Sequence, residues 1–347
     1  MKKRHLISAV AMLLALMLLG LSCGALAEGK TFGVLSFLNV TEEEYDAFGS
    51  PLRRPMMEIL LLDGVLEEKD SQVPAGRPAF RYYDSLNAML MALQAGEVNV
   101  FKVPYYTGKY LCSANDNLMM TEEYHLEKAT EITDWALSLI SSGYSFMTKE
   151  ENAALRDAFD TQITAMKEDG TLQKLIDEHI IKVSDGGEPV AIAFEKFDGD
   201  PIRIAVTGSL PPMDYVAADG TFAGFNTAVL SEIGKRLQKN IELVQVDSVG
   251  RALALSEGTV DVVFWTRGNS ETIAEHRNAH GHPSEEEREV YQRERLAKMS
   301  DEEKAIMEKY GFPDVAMIGK YDTRDLPAGA IITQPYFSDF PIEVTLK

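Results

Sequence analysis

Residues 202–266 alternate between two periodicities that only a layered arrangement of sheet and helix can accommodate. Ile202, Ile204 and Val206 alternate with Arg203 and Ala205, the period of two expected of a strand, and Gly208 with Pro211 and Pro212 ends that run because proline cannot continue a ladder. The next apolar set, Phe225, Val229, Ile233 and Leu237, recurs every four residues and so lines one face of a helix. Apolar segments at 241–246 and 260–265 then flank a short helix stopped at Gly258. Strands alternating with helices imply an α/β fold with a mostly parallel sheet flanked by helices. Ligands of such sheets bind beyond the carboxyl ends of the strands, which here directs attention to residues 209–215 and 266–269.

The amino terminus indicates the compartment. Lys2, Lys3 and Arg4 precede an apolar run over residues 6–21, and Ala25 and Ala27 occupy the small-residue positions a signal peptidase reads, so residues 1–27 are expected to be an export signal. Cleavage before Cys23, with a lipid on that cysteine, stays open as the other form of export, although Gly20 stands where a lipobox prefers leucine. Cys112 is the other cysteine of the chain, so no internal disulfide is expected in the exported protein. Acidic residues outnumber basic ones by 54 to 34, and the formal net charge of −20 argues against nucleic acid or an anionic membrane surface as partner. The 347 residues suffice for roughly two domains.

The chain repeats itself. Residues 92–100, ALQAGEVNV, align with residues 254–262, ALSEGTVDV, each reading as a helix end, a glycine stop and a buried strand. Upstream of the first copy, residues 32–37 and 80–83 read as strands, and Thr41 with Glu44 makes a capping box between them. Downstream, Leu155, Phe159, Ile163 and Met166 form one helical face, Gly170 breaks the helix, and Leu172, Leu175 and Ile176 form the next. Residues 183–200, with Gly186-Gly187 and Asp198-Gly199-Asp200, carry the composition of a linker.

Pro211, Pro212 and Tyr215, the Gly220 turn, Gly224-Phe225 and the Ala254-Leu255, Gly258, Val260-Asp261 pattern, in that order, resemble lobe 1 of the type 2 periplasmic solute-binding proteins of family 3. Residues 82–111 look like that family's lobe 2, residues 144–180 like its closing strand and two C-terminal helices, and residues 331–337 like its crossover between lobes. The resemblance implies a periplasmic-binding-protein-like fold arranged as tandem modules: a degenerate one over residues 30–183, a linker over 184–200, and lobe 1 of a second over 201–347. The second is expected to carry an inserted helical segment at 270–328 and to stop after one strand of its lobe 2, residues 342–346, which would have no partners. On that reading the natural chain extends beyond Lys347.

The resemblance also implies a small polar solute, an amino acid or related carboxylate, delivered to the membrane permease of an ABC-type importer. The family's aspartate for a ligand ammonium aligns with Pro104, and its carboxylate-binding arginine aligns with Ile273, so both have been lost. Arg267 at the exit of the third strand replaces the latter as the expected anion contact, with Arg277 as its rival. Ser209, Tyr215, Trp265 and Asn269 complete the expected ligand-binding set; Trp265 reads equally as an aromatic face against the ligand or a core side chain. Asn226, where the family commonly has aspartate, reads as a helix cap. Tyr105, Tyr106 and Tyr110, at helical spacing, read as packing.

His276, His280 and His282 cluster near Glu275, but their spacing is not that of a recognised zinc site, and neither metal nor cofactor is expected. No serine or cysteine nucleophile and no phosphate-cradling glycine loop stands in a motif context, so binding rather than chemistry is the expected activity. Periplasmic or extracellular transport is the first reading. The second is the ligand-sensing ectodomain of a membrane signalling protein, a histidine kinase or cyclic-nucleotide synthase, where such modules also occur.

Overall fold

The computed structural model describes residues 29–38, 50–217, 219–247, 250–267, 284–313 and 326–347. The expected export signal, the Thr41 capping box, Asn269, Ile273, Arg277 and the histidine cluster lie outside these residues. No helix among the described residues is long and apolar enough to cross a membrane.

The strands are β1 (Thr31–Leu35), β2 (Leu66–Glu68), β3 (Ala79–Tyr83), β4 (Val100–Pro104), β5 (Leu118–Met120), β6 (Glu122–Tyr124), β7 (Ser142–Lys149), β8 (Ile202–Val206), β9 (Ser209–Leu210), β10 (Asp214–Val216), β11 (Phe222–Ala223), β12 (Ile241–Gln245), β13 (Val262–Arg267), β14 (Ala330–Ile332), β15 (Phe337–Asp339) and β16 (Pro341–Leu346). The longer helices are α1 (Ser50–Leu62), α2 (Leu86–Gln94), α3 (Tyr105–Ala114), α4 (Glu131–Ile140), α5 (Ala153–Glu168), α6 (Thr171–Ile176), α7 (Phe225–Leu237), α8 (Gly250–Ser256), α9 (Glu285–Lys298) and α10 (Asp301–Tyr310). The expected α/β layering holds: two main sheets, each flanked by helices.

The first sheet runs β3-β1-β4-β16-β5 and the second β12-β8-β13-β7-β14, with β15 also on β7. Their layouts match. In the first, β1 is parallel to β3 and β4, and β16 joins β4 antiparallel. In the second, β8 is parallel to β12 and β13, and β7 joins β13 antiparallel. The repeated nonapeptide explains the likeness at atomic detail. Ala92 O accepts from Glu97 N at 2.9 Å and Ala254 O accepts from Thr259 N at 2.9 Å, closing each helix ahead of its strand. Gly96 at φ 73° and Gly258 at φ 74° make the left-handed turn that a side chain would strain. In both copies the residue immediately before the strand bridges back to the sheet's first strand: Asn99 Oδ1 accepts from Thr31 N at 2.8 Å, and Asp261 Oδ2 from Arg203 N at 2.9 Å.

This topology corrects the expectation of tandem modules. The antiparallel strand of each sheet comes from the opposite half of the chain: β7 follows α4 out of the first sheet's layer into the second, and β16 follows β15 back again. The strand at residues 342–346, expected without partners, lies inside the first sheet between β4 and β5, with Ile342 opposite Val103 and Val344 opposite both Phe101 and Met120. Sequence proximity suggested a strand without partners; pairing across more than 200 residues supplies them. The linker expected at 184–200 is likewise a connection within one layer. It joins the end of the α6 segment to β8, and Asn240 ties it down by accepting from Phe197 N at 2.9 Å and donating to Phe197 O at 2.7 Å.

A continuous core joins the two layers around the crossings. Tyr144, Phe146, Phe225, Tyr336 and Phe340 are buried, with Phe146 stacked on Tyr336 at 4.6 Å between ring centroids.

Candidate functional site

The carboxyl ends of β1 and β4 in one sheet and of β8 and β13 in the other converge. Thr266, buried at the end of β13, donates through Oγ1 to Leu38 O, in the turn after β1, at 3.3 Å. On one flank Tyr110 of α3 lies 6.5 Å from Tyr215 of β10, ring to ring. The two crossings, residues 140–142 and 339–341, run side by side, with Asp339 paired to Ser142.

The turn after β8 is built around Asp214. Its Oδ2 accepts from Thr207 N at 3.0 Å, Thr207 Oγ1 at 3.2 Å and Gly208 N at 3.2 Å, so the carboxylate holds the strand exit in place. Burial raises its pKa, and those three donors oppose the shift. Its Oδ1 has no partner among the described residues. The following hairpin pairs Ser209 with Tyr215, two of the expected ligand residues, across β9 and β10. Both are partly exposed on this edge.

Gly224, at φ 103°, brings the chain against the proline turn: Pro212 O accepts from Phe225 N at 3.0 Å and Met213 O from Asn226 N at 2.8 Å. Backbone carbonyls therefore satisfy the first amides of α7. The expectation that Asn226 caps this helix is corrected, because its Oδ1 accepts instead from the Tyr336 hydroxyl at 2.7 Å. That buried bond pins the crossover to α7.

Trp265 is 5% exposed and packs among Met147, Ala205, Leu255, Val260 and Val263, so the core reading of this residue holds. The guanidinium of Arg251 lies over its ring at 4.3 Å, a cation–π arrangement, and burial lowers the Arg251 pKa to about 10. Arg251 was not anticipated from the sequence. The available signal was its position four residues before Leu255 on one face of α8, which makes a charged side chain share a buried register. Arg267 closes β13 with its backbone paired to Gly143. The structure therefore brings together Ser209 and Tyr215, with Arg267 on the neighbouring strand end, and draws Trp265 inward.

The crossing into β16 carries a second unanticipated group. Asp339 is buried, accepts from Tyr106 N at 3.1 Å through Oδ2 and from Phe340 N at 2.8 Å through Oδ1, and so receives one of the first amides of α3. Burial drives its pKa up to about 8 despite those donors. Tyr105 and Tyr106 pack around the same crossing, against Phe340 at 4.9 Å and Phe337 at 5.9 Å between centroids, which bears out their packing role.

Residues 202–279 match the sequence model of the bacterial extracellular solute-binding proteins, family 3. No curated relative matches the chain. Among solved structures, the chain is similar to the zinc-bound ligand-binding component of an ABC-type import system from Staphylococcus aureus, at 9% identity and TM-score 0.33, covering 91% of this chain and 65% of that one. It is also similar to the phosphate-binding protein of a phosphate ABC transporter from Streptococcus pneumoniae, at 9% identity and TM-score 0.31, covering 92% and 89%. An ancestral arginine-binding protein bound to glutamine aligns at 12% identity and TM-score 0.31, covering 92% and 84%. The chain spans 65% of the length of the first of these. The likeness is loose and carries nothing about ligand or partner.

Proposed function

We propose that this chain is an exported solute-binding protein whose two lobes form one clamp, holding a small polar solute between the carboxyl ends of its sheets and delivering it to the permease of an ABC-type importer. The observation that carries this reading is the matched pair of βαβ layouts, each completed by a strand crossing from the other. Two crossings side by side make a hinge, and a ligand between the strand ends touches both lobes when the hinge closes. The family match over residues 202–279 supports the same reading from sequence. Within it, residues 30–140 with 341–347 form one lobe and residues 142–339, apart from the inserted helices, the other, in place of modules in series.

The solute class we favour is an amino acid or related carboxylate. Arg267, Ser209, Tyr215 and Asn269 are the proposed contacts, with Trp265 supporting the strand end from within. The activity is binding, without chemistry. Export follows the leader over residues 1–27, free or anchored through Cys23. A thermal-shift screen against amino acids, small carboxylates and phosphate tests the class. Calorimetry on Arg267→Ala then tests the anion contact, with an expected loss of about 2 kcal/mol or more, the scale for removing one partner of a desolvated charge pair. Unchanged affinity would remove Arg267 from the site.

A further inference from the structure

The α8 side of the second sheet is an apolar packing of Met147, Ala205, Leu255, Val260 and Val263 around Trp265, and a set of polar groups is built into it. Alternation along β13 turns Val263 and Trp265 to this side while Val262 and Phe264 enter the main core. Ser145 of β7 stands directly opposite Trp265 in the antiparallel register, which puts the two side chains on one face, about 5 Å apart at Cβ. Arg251, one turn before Leu255 on α8, brings its guanidinium over the Trp265 ring at 4.3 Å and donates from Nη1 to Phe264 O at 3.5 Å. Trp265, Arg251 and Ser145 are 5%, 3% and 1% exposed. The Trp265 Nε1 and the Ser145 Oγ have no hydrogen-bond partner among the described residues. Buried polar atoms are costly when left without a partner, and two such atoms side by side call for an occupant.

We infer that Arg251, Trp265 and Ser145 hold a compact monovalent anion inside the second lobe, between α8 and the sheet, at a site separate from the strand-end solute site. The donor set selects an anion over a neutral ligand. An indole N–H only donates, a guanidinium only donates and carries a positive charge, and a serine hydroxyl turns its hydrogen to the acceptor that is present. A guanidinium has five N–H donors, enough to serve Phe264 O and an anion together. Burial sets the size. The Nε1 and Oγ atoms are out of contact with solvent, so the occupant is enclosed, and a halide or the head of a small carboxylate suits the place better than a large oxyanion. The apolar surroundings strengthen the attraction between such an anion and the guanidinium. This inference needs no assumption about the solute or about hinge closure.

The test titrates the exported chain with sodium chloride and, separately, with sodium acetate, ionic strength being held constant with sodium gluconate, whose anion is too large for the site. The expected result is a Tm that rises saturably with one of the two salts: chloride identifies a halide, acetate a carboxylate head. Trp135→Phe leaves Trp265 as the single tryptophan, and its emission should change with the same midpoint. Ser145→Ala and Arg251→Met should each raise the half-saturating concentration about fivefold or more, the scale of one lost hydrogen bond. Where Arg251→Met does not fold, Ser145→Ala decides. A Tm and a Trp265 emission that respond saturably to neither salt overturn the inference, because the donors would then face water or nothing. A half-saturating concentration unchanged in Ser145→Ala overturns it as well. So does a response abolished by Arg267→Ala and kept by Ser145→Ala, which would put the anion at the strand exit.

Discussion

Replacing Ile342 with alanine separates a single interleaved clamp from two modules in series. Ile342 lies on β16, fully buried, opposite Val103 of β4. Its Cδ1 fills the space over α3 so closely that a Cβ on Gly108 would stand 2.3 Å from it. Alanine removes three buried carbons at about 0.8 kcal/mol each, or about 2.4 kcal/mol, and a cavity term brings the cost to about 3 kcal/mol. Urea unfolding measures the total, and hydrogen exchange followed by mass spectrometry locates it. The expected loss of protection falls on β4 and β5, more than 200 residues away in sequence. A strand without partners would leave those amides unaffected. A stability change below about 0.5 kcal/mol, the range of ordinary surface substitutions, with protection of β4 and β5 intact, would refute the topology argument.

Three further outcomes are expected. Tyr336→Phe deletes the donor to Asn226 Oδ1 while keeping the packing on Phe146, and should cost about 1–3 kcal/mol in urea unfolding, the penalty for a buried acceptor left alone; a neutral result would mean that this bond does not pin the crossover. Gly224→Ala places a Cβ 2.7 Å from both Pro212 O and Met213 O at φ 103°, and should cost on the order of 2 kcal/mol or more, seen as a lowered Tm. Asp339, raised by burial to about 8 from an ordinary value near 4, binds its proton more tightly in the folded chain than in the unfolded one. Its contribution is therefore full below about pH 4 and is lost as pH rises through about 8. The difference in stability between the wild type and Asp339→Asn should change in that direction across this window, and a pH-independent difference would show that Asp339 does not titrate there.

What the sequence made legible was local. Ile202, Ile204 and Val206 announce β8 because a strand at a sheet's core needs no more than alternation and a proline stop, and Phe225 to Leu237 announce α7 because one face must be apolar. The nonapeptide repeat was legible for the same reason: its helix end, glycine and strand satisfy one another within nine residues. Strand exchange between the two halves was not legible. Residues 342–346 carry the alternation of a half-buried strand, but alternation does not name the neighbour, and the neighbour is Val103 rather than anything nearby in the chain.

The site divides along the same line. Ser209 and Tyr215 are proposed contacts because a ligand of such a sheet is expected at the turn after a parallel strand, and the hairpin pairs them on that edge. Trp265 has the same address in sequence, yet faces the interior, since successive residues of a strand point to opposite sides and its neighbour Thr266 is the one that reaches Leu38. Asp339 offered no signal, because its partner amide on Tyr106 belongs to the other lobe and is brought near only when the chain crosses back. Those two cases have a common physical basis. A residue whose role is fixed by its own strand or turn can be read in advance, whereas one whose role is to join the lobes becomes visible only with the crossing itself. Asn226, Tyr336 and Asp339 are all of the second kind: the Tyr336 hydroxyl donates to Asn226 beside one crossing strand, and Asp339 takes the Tyr106 amide at the other.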